Sequence, residues 1–416
     1  MAVDALRWRH PGTISVLCTV ADRDVPALRA SLSRGGPALR VDELPTVHFL
    51  RMFVIDPDHD LQGRPLPARL VLSIVFDGTA QRVLEQWVEL VGDLLVQILG
   101  RCDDGPARPA DVLPFLQQRA ATPDTFHIGP VGASVAQIRE EERLANELRR
   151  FVDALATEGM SGISADEVRR RALTFVRRRN DLPQQPRPAR PLLSRFLQAA
   201  DLTGTAVIAA CSAPLAGFGL GVVRYLERTE ADVVIRQDDR VVEALESEED
   251  VFAQNQFTMV AAVRDSTARR LMLRATLLFS DAHTKHFSHT GRLVGVETIH
   301  FARIHQIDGG RRLLFMSDFD GGWNRYLFDF LTTGAFAVVP NWTNLHGCPK
   351  TRYLFLPEPG FAQRFLPFTR ARQLRTDVWF SAFPDLTVTD ILKHAQIRAG
   401  LFSDDRPGAE RWLRLL

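Results

Sequence analysis

The chain has 416 residues, of which 45% are hydrophobic and 24% charged, which suits two globular domains with a connector and excludes a single small domain or a disordered polymer. Its formal net charge of +1 provides no whole-chain field that would draw it to nucleic acid, so nucleic acid is not expected as a partner. Cys18, Cys102, Cys211 and Cys348 form no CxxC pair, which argues against a thiolate zinc site and a disulfide framework and fits a reducing, cytoplasmic setting.

Met1 to His10 is polar, with Asp4, Arg7 and Arg9, so a cleaved signal peptide is not expected. Thr13–Val20 is a β-branched run that reads as a strand, and Ala21–Ser33 follows with helical spacing. Residues 47–56 read Val-His-Phe-Leu-Arg-Met-Phe-Val-Ile-Asp, and a second apolar run, Leu70 to Gly78, ends in Phe-Asp-Gly. Thr79–Leu99 carries Val83, Leu84, Trp87, Leu90, Val91, Leu94 and Leu95 at the spacing of an amphipathic helix. Thr122-Pro-Asp-Thr-Phe-His-Ile then precedes a helix around Ser134–Leu155.

The middle of the chain changes character twice. Ser161–Arg179 predicts a helix with a basic face, capped by Ser164 ahead of Asp166 and Glu167. Pro183, Pro186, Pro188 and Pro191 break it, and Leu202–Val223 follows without a charged residue. Its length matches a membrane span, while Thr203, Thr205, Ser212, Pro214 and several glycines dilute its hydrophobicity. Two readings stay open: a buried helical hairpin broken at Pro214, or membrane insertion or interfacial docking through residues 192–224. Gly217-Phe-Gly219-Leu-Gly221 lacks the spacing and the preceding strand of a dinucleotide loop.

Beyond the connector the early pattern returns. Phe257–Val263 reads as a strand and Ser266–Phe279 as a helix, and residues 299–308 read Ile-His-Phe-Ala-Arg-Ile-His-Gln-Ile-Asp. The shared string is [VI]-H-F-x-R-x-x-x-I-D, followed again by Phe-Asp-Gly at the end of Leu313–Gly321 and a helix start at Gly322–Leu331. Arg375-Thr-Asp-Val-Trp-Phe precedes Thr387–Leu401, so that Asp124 and Asp377 correspond. Two such series in one order indicate a duplication. The expected fold class is α+β: two tandem ferredoxin-like (βαββαβ) units, 1–158 and 251–416, joined by a basic, proline-rich and apolar helical connector, 159–250. This order resembles the dimeric α/β-barrel superfamily, which implies that the two sheets close against each other as an intrachain α/β barrel.

His48 and His300 are present in both copies. Strict strand alternation puts His300 and Arg303 on opposite faces. One reading makes each histidine a buried structural residue and pairs the motif Arg with the motif Asp. The other starts from Asp320-Gly321 and Asp77-Gly78, which resemble the G-x-x-D-G string of dye-decolourising peroxidases with its first glycine absent. That resemblance implies haem, with Asp320 as distal acid, Arg303 as charge stabiliser, and His300, His305 or His346 as axial ligand. His283, His286 and His289 are spaced for imidazole ligation, but no carboxylate stands among them and Gly291 suggests a loop, so no metal site is assigned. The second unit is richer in Trp323, Asn324, Tyr326, Trp342, Asn344, His346 and Trp379, and the irregular stretch Pro340–Pro349 makes it the expected home of a pocket. Three functions remain: a peroxidase-like barrel for haem or an apolar ligand, a non-catalytic membrane-peripheral or scaffolding protein, and a small-molecule binding module. Their partners would be haem or a small apolar molecule, or a membrane surface.

Overall fold

The computed structural model describes residues 11–157, 162–187, 192–235, 237–287, 293, 295–333, 335–403 and 408–416. The first third of the chain forms β1 (Gly12–Val20), α1 (Val25–Gly35), β2 (Val47–Ile55), a small hairpin of β3 (Asp58–His59) and β4 (Pro65–Leu66), β5 (Ala68–Phe76), α2 (Ala80–Leu99), α3 (Pro109–Gln118), β6 (Ala120–Ala121), β7 (Thr125–Ile128) and α4 (Val135–Thr157). The connector contributes α5 (Ala165–Arg177), α6 (Leu192–Thr229) and α7 (Asp239–Glu246). The last third runs β8 (Gln254–Ala262), α8 (Thr267–His286), β9 (Ile299–Ile307), β10 (Arg312–Asp320), α9 (Trp323–Thr332), α10 (Ala335–Trp342), the hairpin of β11 (Thr351–Arg352) and β12 (Leu356–Pro357), α11 (Phe361–Arg370), β13 (Val378–Ser381), α12 (Val388–Leu401) and α13 (Gly408–Leu413).

The longer strands build two antiparallel sheets, of order β13-β2-β5-β1-β6 and β7-β9-β10-β8. Alternation sends each sheet's side chains two ways. From β2, Leu50, Met52 and Val54 face α1 and α2, while Phe49, Phe53 and Ile55 join residues of the other sheet. From β9, Ala302 and Ile304 face α8 to α11, while Phe301 and Ile307 turn inward. The result is helices, sheet, sheet, helices. The α+β class is therefore observed, but no strand pair among the described residues joins the two sheets, so they do not close into a barrel. They meet through side chains, and each keeps its own edges.

Each sheet takes an edge strand from the far side of the chain. After α3, Ala120 and Ala121 pair with Val16 and Ser15 of β1, and then the chain crosses so that β7 pairs with β9. After α11, Gln373 bridges Met259 of β8, and β13 then crosses to β2. Asp124 secures the first crossing by accepting the Gln306 amide at 2.6 Å. At the second, burial raises the pKa of Asp377, while Arg29 and a backbone hydrogen bond with Val54 oppose that rise.

Leu192–Thr229 is one continuous helix through Pro214, which corrects the expected hairpin. Among the described residues no helix is long and apolar enough to cross a membrane. The expected histidine loop is also corrected: α8 continues through His283 and His286, and His289 lies outside the described residues. Pro340–Trp342 likewise belongs to α10 rather than to an irregular loop.

Candidate functional site

The two motif histidines occupy matching β-bulges. In β2, Val47 pairs with Phe76 and Phe49 with Val75, which leaves His48 as the extra residue. In β9, Ile299 pairs with Phe319 and Phe301 with Asp318, which leaves His300 extra. A bulge re-aims its side chain, and both imidazoles turn into the space between the sheets. His48 lies 5.7 Å from Phe301, and His300 lies 5.5 Å from Phe49, between ring centroids. Phe383 touches both histidines. Strict alternation fails here, so the histidine and arginine of each motif share the inner face.

Each histidine leans on an aspartate that also caps a helix. His48 Nε2 is 2.9 Å from Asp77 Oδ1, and the Val135 amide at the start of α4 donates to Asp77 Oδ2 at 2.8 Å. His300 Nε2 is 2.6 Å from Asp320 Oδ1, and the Val388 amide at the start of α12 donates to Asp320 Oδ2 at 2.8 Å. A carboxylate at a helix N-terminus satisfies an orphan amide and complements the helix dipole. Asp320 thus has both oxygens occupied by the fold.

Arg51 and Arg303 converge on one carboxylate, Asp318. Arg51 donates to Asp318 Oδ1, to Ser317 O at 2.8 Å and to Thr258 Oγ1 at 2.9 Å. Arg303 donates to Asp318 Oδ2 at 2.7 Å, and Trp379 Nε1 donates to Oδ1 at 3.1 Å. All three charged groups are buried. Burial, countered by Asp318 and reinforced by Arg51, pushes the Arg303 guanidinium down to about 10. The expected pairing of motif Arg with motif Asp is corrected: Asp56 holds Arg29 at 2.9 Å, and Asp308 holds Arg69 at 2.7 Å and Arg312 at 2.6 Å. Asp318 and Trp379 stand where the first series of residues has Val75 and Phe126, so the two series differ at this cluster.

The histidines proposed for haem do not converge. His300 lies at the Asp320 end of the second sheet, whereas His346 donates its amide to Ala262 at 2.8 Å at the other end. Along β8 those ends, Gln254 and Ala262, stand about 26 Å apart at about 3.3 Å per residue. His305 sits between them on the inner face, opposite Leu314, where burial and Arg303 push its imidazole down to about 3. With Phe49 and Phe383 against His300 and Asp320 fixed on its Nε2, these residues do not fit a porphyrin.

Open space occurs on the outer face of the same sheet. A slot lies between β7, β9 and β10 on one side and α8, α9 and α10 on the other. Including its mouth it measures about 440 Å³, and its narrowness limits it to a slender occupant. Ala302, Ile304, Phe315, Phe330 and Trp342 form its apolar wall, and Thr125, His127, Ser280 and Thr284 also line it. Asn341 supplies a polar end: its Nδ2 donates to Ser280 Oγ at 2.8 Å, and its buried Oδ1 has no hydrogen-bond partner. Turning the amide over only exchanges which of its two atoms is unmatched. His283 stands at the rim, its pKa lowered by burial. Among the described residues no three His, Cys, Asp or Glu side chains are grouped to hold a metal ion.

The sequence pointed to the second half and to the stretch containing Asn341 and Trp342. It missed Ser280, which reads as one more polar residue on a helix, and Asp318, which only the comparison with Val75 singles out. No family model matches this chain, and no curated protein or solved structure matches it.

Proposed function

We propose that this chain is an internally duplicated, ferredoxin-like protein whose second half binds a small, narrow, mostly apolar molecule bearing one hydrogen-bonding group. Three matched features support the duplication: the bulged histidines, the aspartates that cap α4 and α12, and the crossing strands. The placement of β6 beside β1, and of Gln373 beside β8, fits a short fourth strand in each unit. The unmatched Asn341 amide atom at the end of an apolar slot carries the binding reading. A buried polar atom without a partner costs about 1–3 kcal/mol, and a ligand hydroxyl or amide removes that cost. Apolar walls with a few convergent polar groups are the usual composition of a small-molecule site. A binding module is favoured over the peroxidase reading because Asp320, Arg303 and His300 are all engaged by the fold.

Calorimetric titration with hexanol and octanol tests the reading. Saturable binding is expected, weakened about tenfold by Asn341→Leu, the loss of one hydrogen bond to a buried group, and abolished by Ala302→Phe, which fills the floor. If neither alcohol binds, or if Ala302→Phe binds as tightly as the parent, the slot is not the site.

A further inference from the structure

At the opposite end of α8 from the slot, buried charge collects around a second, smaller pocket. The end of α6, the turn from β8 into α8 and the loop after α10 bound it. It measures about 230 Å³ including its mouth, below the roughly 300–1,000 Å³ of sites for drug-sized ligands. Arg264, Arg269 and Lys350 line it together with Glu227 and Glu230. Glu227 is fully engaged by the fold: it accepts the Tyr353 and Leu354 amides, both at 2.9 Å, and pairs with Arg224 at 3.2 Å. Glu230 accepts Arg269 Nε at 3.2 Å and Nη2 at 2.8 Å, and faces Arg264 Nη1 at 3.3 Å. Asp232, the other carboxylate acting on Arg264, is held by Arg364 at 2.6 Å. Arg269 is only 1% exposed, yet its remaining nitrogen, Nη1, is buried without a hydrogen-bond partner. Lys350 Nζ donates to Glu230 O at 2.9 Å, which uses one of its three protons, and among the described residues it has no carboxylate partner.

We propose that this pocket binds one small dianionic oxyanion of the phosphate type. With Arg224 on Glu227, the single carboxylate of Glu230 stands against Arg264, Arg269 and Lys350, so two positive charges are unmatched. A buried guanidinium N–H without an acceptor is more costly than a neutral one, and an oxyanion supplies the acceptor. Arg269 also sits in the first turn of α8, where the helix dipole disfavours a cation and favours an anion. Burial lowers the pKa of Arg264, against Glu230 and with help from Arg269, so a bound anion would relieve both arginines. Arginine and lysine together are suited to phosphate oxygens, the one by directed N–H groups and the other as a point charge. A carboxylate would leave one of the cations unmatched, and the size of the pocket admits little beyond the anion itself. The inference stands independently of the apolar slot.

The test is calorimetric titration of the full chain with inorganic phosphate at mildly alkaline pH and fixed ionic strength in chloride, with acetate as the monoanionic arm. One saturable phosphate site is expected, with acetate binding more weakly. Phosphate should also raise the thermal unfolding midpoint, because it binds the folded chain. Lys350→Met is expected to weaken phosphate about tenfold or more, the loss of a charge-assisted hydrogen bond, and Arg269→Gln to abolish binding. Circular dichroism in chloride checks that each variant folds. Lys350 is only half-buried, so its variant decides the matter if Arg269→Gln does not fold. No saturable phosphate binding together with an unmoved midpoint overturns the proposal. So does a Lys350→Met variant that binds as tightly as the parent, which places the anion elsewhere. Acetate binding as tightly as phosphate overturns it too, since the pocket then does not select a dianion.

Discussion

At Asp318 two guanidiniums meet one carboxylate inside the protein, and the balance there is delicate. Removing the single anion leaves two buried cations, so Asp318→Ala is expected to cost about 3–5 kcal/mol in urea unfolding. Asp318→Val, the residue of the corresponding position 75, should cost about as much while both arginines remain. Replacing the group together, Arg51→Met/Asp318→Val/Arg303→Met, should recover most of the loss, because apolar side chains of similar volume need no desolvation. His305 makes a pH prediction. Folded, it stays neutral down to about 3; in the unfolded chain it takes a proton below about 6.5. Between those values the unfolded state binds more protons, so stability falls as pH drops, with His305 contributing up to about 1.4 kcal/mol per pH unit. A His305→Phe variant should show a shallower fall in acid unfolding curves.

Among the elements, the helices were legible where a cap and a periodic face coincide. Ser164 accepts the Glu167 amide at 3.3 Å at the start of α5, and Thr387 and Asp390 form a capping box at the start of α12. Helices α3 and α11 escaped notice because Pro114 and Pro367 interrupt their patterns. The bulges escaped because a bulge is a property of two strands, and one strand's sequence carries no sign of the register shift. Asp77 and Asp320 look like turn residues in sequence, yet each ties a bulged histidine to a later helix. Asp320→Ala is expected to cost about 2 kcal/mol through loss of the cap and of the histidine's partner. Asp77→Ala should cost less, because Asp77 is 19% exposed at its side chain against 8% for Asp320. Thermal unfolding of the two variants side by side checks the order.

For the whole molecule, the crossing strands decide what can fold alone. β7 closes one edge of the second sheet, and β13 closes one edge of the first. A fragment of residues 1–158 would expose the β2 edge and leave β7 unpaired, and residues 251–416 would expose the β9 edge. Unpaired edges invite association. Each fragment expressed separately is expected to aggregate or to lack a cooperative transition by circular dichroism, whereas the two expressed together should assemble into a soluble complex. If either half unfolds cooperatively as a monomer, the exchanged strands contribute little to its stability.

The repeated string, strands β1, β2, β5, β8, β9 and β10 and the capped helices α5 and α12 were determined by the sequence, because they rest on periodicity and capping within a few neighbouring residues. Which face His48 and His300 take, which carboxylate Arg51 and Arg303 share, and which sheet β7 and β13 enter were decided only by the tertiary structure. Those outcomes depend on partners between 15 and 332 residues away in the chain, and a local pattern holds no record of them. The slot is of the same kind: Ile304, Ser280 and Asn341 are ordinary residues on three separate elements, and only packing those elements on one sheet leaves a gap with an unmatched amide at its end.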